Sequence, residues 1–351
     1  MFINIEKRGI NTGFDFLSSE AGFGILQSLI EYDESDTHGK VFIVGLLNTI
    51  LVSVIGIIFA TILGLLVGIG RLSKNFMVAK LSLIYVETFR NIPILLQILF
   101  WYNVVLASLP SPRQSISFFD SIFFNNRGLY IPRPILESGF TAVIIAFIIA
   151  IASVIYLSKW ANKKHDETGK DFPTFWVSLA ILICAPLLVF FVSGSPATLE
   201  VAELKGFNFK GGWTLIPELL ALAFALSIYT ATYIAEAVRA GIEAVPKGQK
   251  EAASALGLKD SIILKKVVLP QALRVIIPPV INQYLNLVKN SSLATAIGYP
   301  ELVTIFSGTS LNQVGQAIEI ILMTMAVYLT LSILISILMN YINSRMQIKE
   351  R

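Results

Sequence analysis

Five ionisable side chains, Glu87, Arg90, Glu236, Arg239 and Lys289, fall within or at the edges of long apolar runs. Charge in such a run is costly, so these groups must pair with one another or face a cavity, a solute or another subunit. Glu87 with Arg90 and Glu236 with Arg239 are each spaced i, i+3, on one helix face. Pairing, or reaching out to the membrane interface, is the expectation for these four. Lys289 has no acidic neighbour at that spacing, so a functional or subunit-contact role weighs more for it. Bond-breaking chemistry is not indicated. His38 and His165 are the only histidines and lie in polar segments, and the one cysteine, Cys184, sits in an apolar run. HExxH, GxSxG, paired intramembrane aspartates and the phosphate-binding GxxxxGK[ST] are all absent. The sequence therefore predicts no catalytic residue, no metal site, no cofactor and no internal disulfide, and any use of ATP must come from a partner.

The elements that position these groups are membrane helices. Hydrophobic residues make up 55% of the 351 positions and charged residues 14%, against about 25% charged in soluble domains. The net charge of +4 is spread in short clusters between apolar runs, a pattern that reads as membrane orientation and not as nucleic-acid binding. A spanning helix needs about 20 mainly apolar residues. Seven runs qualify: 41–70, 78–106, 139–157, 175–192, 216–238, 267–288 and 317–341. An eighth arises if 292–306 separates from the run carrying Pro270, Pro278 and Pro279. The fold class expected is an all-α integral membrane protein, a polytopic helical bundle of about seven transmembrane helices. Pro93, Pro278 and Pro279 free backbone carbonyls inside runs, which is tolerated where they face protein or a cavity.

Lys and Arg gather on one side of these runs: Arg71, Lys74 and Lys80, then Lys159, Lys163, Lys164 and Lys170, then the series from Arg239 to Arg274, then Arg345, Lys349 and Arg351. That side is predicted cytoplasmic, with the N-terminus outside. Gly45, Gly56, Gly64, Gly68 and Gly70 in the first run predict close approach of neighbouring backbones. Residues 1–40 carry Lys7 and Arg8, then acidic and polar residues, and no cleaved signal peptide is expected there. They are read as an exposed or interfacial tail.

The longest charged connection, 239–266, reads as a short helix at the cytoplasmic surface. Pro246 and Gly248 break the preceding run, the stretch from Gln249 to Leu256 favours helix, and Gly257 suits a residue just past its end. Ala252, Ala253 and Ala255 are predicted to leave the exposed face almost free of bulk, so that it can enter a groove on another protein. Glu251-Ala252-Ala253, Gly257 and then Val267-Val268-Leu269-Pro270 at their spacing resemble the EAA loop of ABC importer permeases, with Val267 where isoleucine is commoner. The resemblance implies a coupling helix that docks in a cleft of an ATPase dimer, with Gly248, Glu251, Ala252, Ala253 and Gly257 as the coupling residues. Glu251 also suits a helix N-terminus on electrostatic grounds.

Three further stretches look like the polar amino-acid branch of that family: Tyr85 to Gln97, Tyr233 to Ile242, and Asn282 to Ala294 with Ser291 where threonine is usual. Ordinary members of the branch are shorter. The extra material at 107–215, with two spans and two outer loops, resembles the larger subunits of general L-amino-acid importers. The resemblance implies a bacterial inner-membrane permease, a second, paralogous permease as heterodimer partner, a periplasmic amino-acid-binding protein, and an L-amino acid as substrate. Such a substrate carries a carboxylate that Arg90 or Lys289 could meet, while Asn91, Asn290 and Ser292 offer amide and hydroxyl groups along a path. The division expected is an N-terminal tail at 1–40, a permease domain at 41–344 and a cytoplasmic tail at 345–351. The rival reading, a secondary transporter or channel without an ATPase, predicts internal pseudosymmetry and no docking loop; no repeat is visible by inspection.

Overall fold

The computed structural model describes residues 12–169 and 172–346. Lys7, Arg8, Lys170, Lys349 and Arg351 of the charge pattern lie outside the described residues. The chain divides into two compact units, one made of the residues up to Leu109 and from Leu215 onward, the other of Pro110–Thr214.

Helix α1 (His38–Arg71) starts at Thr37, whose side chain accepts from the Lys40 N–H, as an N-cap should. Asn75 caps α2 (Phe76–Asn91) by accepting from the Met77 and Val78 N–H groups. Pro93 then ends α2: Ile92 before it is extended, with φ −92° and ψ 127°, as a residue ahead of proline prefers. The chain resumes as α3 (Ile94–Phe100), continuing through the wider turns of Trp101–Leu106, at 101° to α2. The run 78–106, expected as one span, is therefore a sharply bent pair.

In the second unit come strands β1 (Ile116–Phe118), β2 (Ile122–Asn125), β3 (Gly128–Ile131) and β4 (Arg133–Leu136), helices α4 (Phe140–Thr168) and α5 (Thr174–Val192), and strands β5 (Ala197–Glu200), β6 (Glu203–Lys205), β7 (Asn208–Lys210) and β8 (Trp213–Leu215). They form a four-stranded sheet in the order β1-β2-β3-β8 and the two-stranded pairs β4-β5 and β6-β7. Tyr130, Ala202 and Phe209 are the buried core, with Phe123 stacked on Phe209 at 4.6 Å. These strands correct the expectation of an all-helical chain. Each is three or four residues long, too short for an alternating pattern to stand out, and tight turns at Gly128 and Gly206, both at positive φ, set their pairing.

The first unit resumes with α6 (Pro217–Glu243), α7 (Lys247–Ala255), α8 (Asp260–Ile263) and the wide turn Leu264–Val268 leading into α9 (Leu269–Asn290). Tight turns at Ser291–Ile297 and wider ones at Val303–Ser310 precede α10 (Leu311–Val314) and α11 (Ala317–Met346). Helix α6 is the centre, packed by α1, α2, α3 and α9, and 72% of its most apolar window is buried. Close approach to α1 depends on glycine. A Cβ at Gly64 would lie 2.6 Å from the Ile234 Cβ, and one at Gly45 would lie 2.8 Å from the Leu302 Cα.

Among the described residues, five helices, α1, α4, α5, α6 and α11, are long and apolar enough to cross a membrane, and the bent pair, taken as one span, raises the number to six. The run 267–288 forms α9, whose Gln271, Arg274, Asn282, Gln283, Asn286 and Lys289 leave it outside that group. The stretch 292–306, weighed as an eighth span, holds only short turns. Part of the leader, expected as a tail, is packed: Phe16 is buried with Leu302, Phe306 and Ile320, and Ala21 with Val41, Val44 and Ile305.

Candidate functional site

The loop between α6 and α9 is ordered by backbone logic. Pro246, at φ −56° and ψ 137°, ends the preceding turn, and its carbonyl accepts from the Gln249 N–H at 3.0 Å to start α7. At the other end the Gly257 N–H donates to Ser254 O at 2.9 Å and the Leu258 N–H to Ala253 O at 3.3 Å. Closing a helix by this pair of bonds needs a left-handed residue between them, and Gly257 has φ +74°. Gly248 is different. Its φ is not positive, and a Cβ there would meet nothing within 4 Å, so nothing among the described residues requires a glycine at that position.

Gly248, Glu251, Ala252 and Gly257 are exposed, as is Ala255. Ala253 is not: it is 5% exposed, on the side of α7 turned towards its own chain, and α7 packs against Leu264–Val268. That corrects the expectation that Ala253 lies on the outer face. The exposed residues of α7 named above are small or charged, while two large apolar residues after it are also open, Leu256 80% and Leu264 53% exposed. Sequence reasoning stressed the small residues and passed over Leu256, although an apolar residue between an alanine-rich helix and a glycine stop was the available signal.

A second feature lies between α6 and α9. Tyr229, Thr230 and Tyr233 on α6 and Gln283, Asn286 and Asn290 on α9 line a cavity of about 250 Å³. Tyr229 and Tyr233 on α6, and Gln283, Asn286 and Asn290 on α9, are spaced three or four residues apart on one face of their helix, and Thr230 adjoins Tyr229. The Tyr229 and Tyr233 hydroxyls lie 2.9 Å apart. The cavity thus offers hydroxyls and carboxamides, groups that donate and accept, to a polar solute. Of the expected path residues only Asn290 lines it. Arg90 pairs with Glu87 at 3.4 Å, and Asn91 donates to the Glu87 carbonyl at 2.6 Å, both at the end of α2. Lys289 is exposed and has no ion-pair partner among the described residues, and Ser292 donates to the Lys289 carbonyl at 2.7 Å. Neither of these lines the cavity. Tyr229, Thr230, Gln283 and Asn286 were missed; polar residues one turn apart within apolar runs were the signal.

The expected pair Glu236 and Arg239 forms, and Arg71 at the end of α1 joins it on the Glu236 carboxylate. Tyr85 donates to the Ile228 carbonyl at 2.8 Å, tying α2 to α6. Sequence reasoning also missed Glu301, which is fully buried. Its carboxylate accepts from the Val303 N–H at 2.9 Å, the Thr304 N–H at 2.8 Å and the Tyr328 hydroxyl at 2.9 Å. An acidic residue just ahead of an apolar run marks such a cap.

The family model described as binding-protein-dependent transport system inner membrane component matches residues 167–348. The putative amino-acid ABC transporter permease protein YhdX of Escherichia coli is 55% identical over 348 residues, 99% of this chain and 88% of that protein. The general L-amino acid transport system permease protein AapQ of Rhizobium johnstonii is 52% identical over 349 residues, 99% of this chain and 87% of that protein. Among solved structures, the crystal structure of an amino acid ABC transporter with histidines superposes with a TM-score of 0.51 at 18% identity, covering 88% of this chain and 95% of that one. That likeness is one of fold.

Proposed function

This chain belongs to the family of binding-protein-dependent transport system inner membrane components, and from that premise we propose that it is the permease subunit of an ATP-driven importer carrying L-amino acids across the bacterial inner membrane. The substrate class is extended from the relatives that match almost the whole chain. The observation that carries the mechanism is α7, a short helix between two long ones, exposed at Glu251 and Ala252 and open at Gly248. Another chain can approach such a face closely, and flanking Leu256 and Leu264 supply the apolar area that favours association. In this reading Gly248, Glu251 and Ala252 meet a separate ATPase dimer, while Ala253 and Gly257 hold the helix in shape.

The bent pair α2–α3 and helix α9 complete seven membrane segments with the five apolar helices. The N-terminus is periplasmic and the C-terminus cytoplasmic, in keeping with the Lys and Arg distribution. A periplasmic binding protein delivers the amino acid, and a paralogous permease completes a heterodimer. The polar cavity of Tyr229, Tyr233, Gln283, Asn286 and Asn290 lies on the path, and Lys289, exposed and without an ion-pair partner among the described residues, is available to a carboxylate or to the second permease.

The test is uptake of a labelled amino-acid panel into proteoliposomes holding this chain, its partner permease, the ATPase and the binding protein. ATP-dependent uptake in the wild type, lost or uncoupled in Glu251→Lys, is the expected result. Undiminished uptake in the variant rejects α7 as the essential contact, and ATP-independent uptake in the wild type rejects the importer.

A further inference from the structure

The cytoplasmic end of α6 is held from two sides. A Cβ at Gly68 of α1 would lie 2.8 Å from the Val238 Cβ and 2.9 Å from the Ala235 carbonyl oxygen. Opposite, a Cβ at Gly241 would lie 3.1 Å from the Ala272 carbonyl oxygen of α9. Between α1 and α6 runs a ladder of alternating charges, Arg71, Glu236, Arg239 and Glu243. Arg71 is the last residue of α1, and its guanidinium donates to Glu236 Oε2. Arg239 Nε donates to the two oxygens of the same carboxylate at 3.2 and 3.3 Å, and its Nη1 donates to Glu243. Glu243 is the last residue of α6, and α7 opens four residues later at Lys247. The Arg71 side chain is only 14% exposed, and charge-assisted bonds partly withdrawn from water are stronger than surface pairs.

We propose that Arg71 is a positioning residue for coupling. By sharing the Glu236 carboxylate with Arg239 it locks the end of α1 to the end of α6, so that a displacement of α7 moves both helices together. The cavity residue Tyr233 stands one turn before Glu236 on the same helix, so the same movement reaches the cavity wall. Without Arg71, α6 can shift along α1 and the displacement is spent before it arrives. The inference rests on the reading of α7 as the ATPase-docking helix.

The experiment uses the reconstituted complex and measures labelled amino-acid uptake and ATP hydrolysis on the same vesicles. Loss of fold or assembly lowers both quantities together, whereas loss of positioning lowers uptake per ATP. Arg71→Ala is expected to keep hydrolysing ATP while uptake per ATP falls by about fivefold or more, the lower bound of usual coupling. Arg71→Lys, which keeps the charge but not the forked donor, should restore part of the ratio. Glu243→Gln alters a half-exposed side chain and should lower the ratio by less; if Arg71→Ala fails to assemble, this variant decides. A wild-type ratio in both Arg71→Ala and Glu243→Gln, with the ratio lost in Glu251→Lys, overturns the positioning role alone. A wild-type ratio in all three overturns the docking reading and the proposal with it.

Discussion

In the unit built on α1, α6 and α9, helix meets helix through residues with almost no side chain, whereas in Pro110–Thr214 helices α4 and α5 leave most of their surface uncovered. The most apolar window of α6 is 72% buried, that of α4 11%, and none of that of α5. Leu188 and Phe191 of α5 are each 65% exposed, which lipid tolerates without any shape requirement. Gly64 and Gly68, by contrast, sit where even one carbon would overlap a neighbour. Apolarity alone is enough for α5, while α1 and α6 also need shape and specific polar bonds. The residues read as coupling and path residues all lie in the unit that contains α1 and α6.

The largest expected effect strikes at this contrast. Gly64→Leu forces four carbons into space already bounded by Ile234, and should cost about 3 kcal/mol or more, at the upper end of overpacking. Folded yield and detergent-denaturation midpoints should collapse. Leu188→Ala in α5 should change stability by less than about 0.5 kcal/mol, as exposed positions do. Equal effects from the two variants would erase the distinction between the units.

Helix-forming runs and the glycine contacts were legible because both are local patterns: apolarity over twenty residues, and small residues at near-helical intervals. The i, i+3 pairs Glu87–Arg90 and Glu236–Arg239 were legible for the same reason. Arg71 was not, since 165 positions separate it from Glu236 and only packing brings them together. Ala253 was placed on the wrong face because a nine-residue helix has no strong pattern of its own, and its rotation is set by the segment Leu264–Val268 beneath it. The cavity escaped for a related reason: Tyr229 and Asn286 look like ordinary polar residues until α6 and α9 are laid side by side. Strands of three or four residues left no period to read.

Phe209→Ala sharpens the comparison from the other unit. Phe209 is 9% exposed and packs on Phe123 and on Tyr130, at 4.9 Å between ring centres. Its loss should cost about 3 kcal/mol, the lower range for a buried aromatic. In this small unit the cost should appear locally, as faster amide exchange in 116–131 and 203–215 with α1 and α6 unchanged. Loss of protection in α1 as well would mean that the two units unfold as one.

The smallest effect separates the units by pH. Asp36 accepts from the Lys40 ammonium at 2.7 Å, and that hydrogen bond, followed by the one from Asp33 N–H, holds its carboxyl below the usual carboxylate range. Asp33 is lowered in the same way, first by the Ser35 hydroxyl and then by the Ser35 N–H. A depressed folded value means stability that is present above the unfolded value, about pH 4, and is lost as the pH falls through the folded one. Tyr130 of the sheet behaves in the opposite sense. Burial pushes its phenol up, only partly offset by Arg127, so its contribution is complete below about pH 10 and is lost as the pH rises through the folded value. Acid should therefore loosen the leader around Asp33 and Asp36 first, and base the sheet around Tyr130 first, each followed by limited proteolysis. Asp36→Asn should weaken the leader's acid response, leaving the part that Asp33 contributes through Ser35, and should leave the alkaline response of the sheet in place. If both segments opened together at one end of the pH range, the two units would share one titrating contact, and their separate packing would not translate into separate stability.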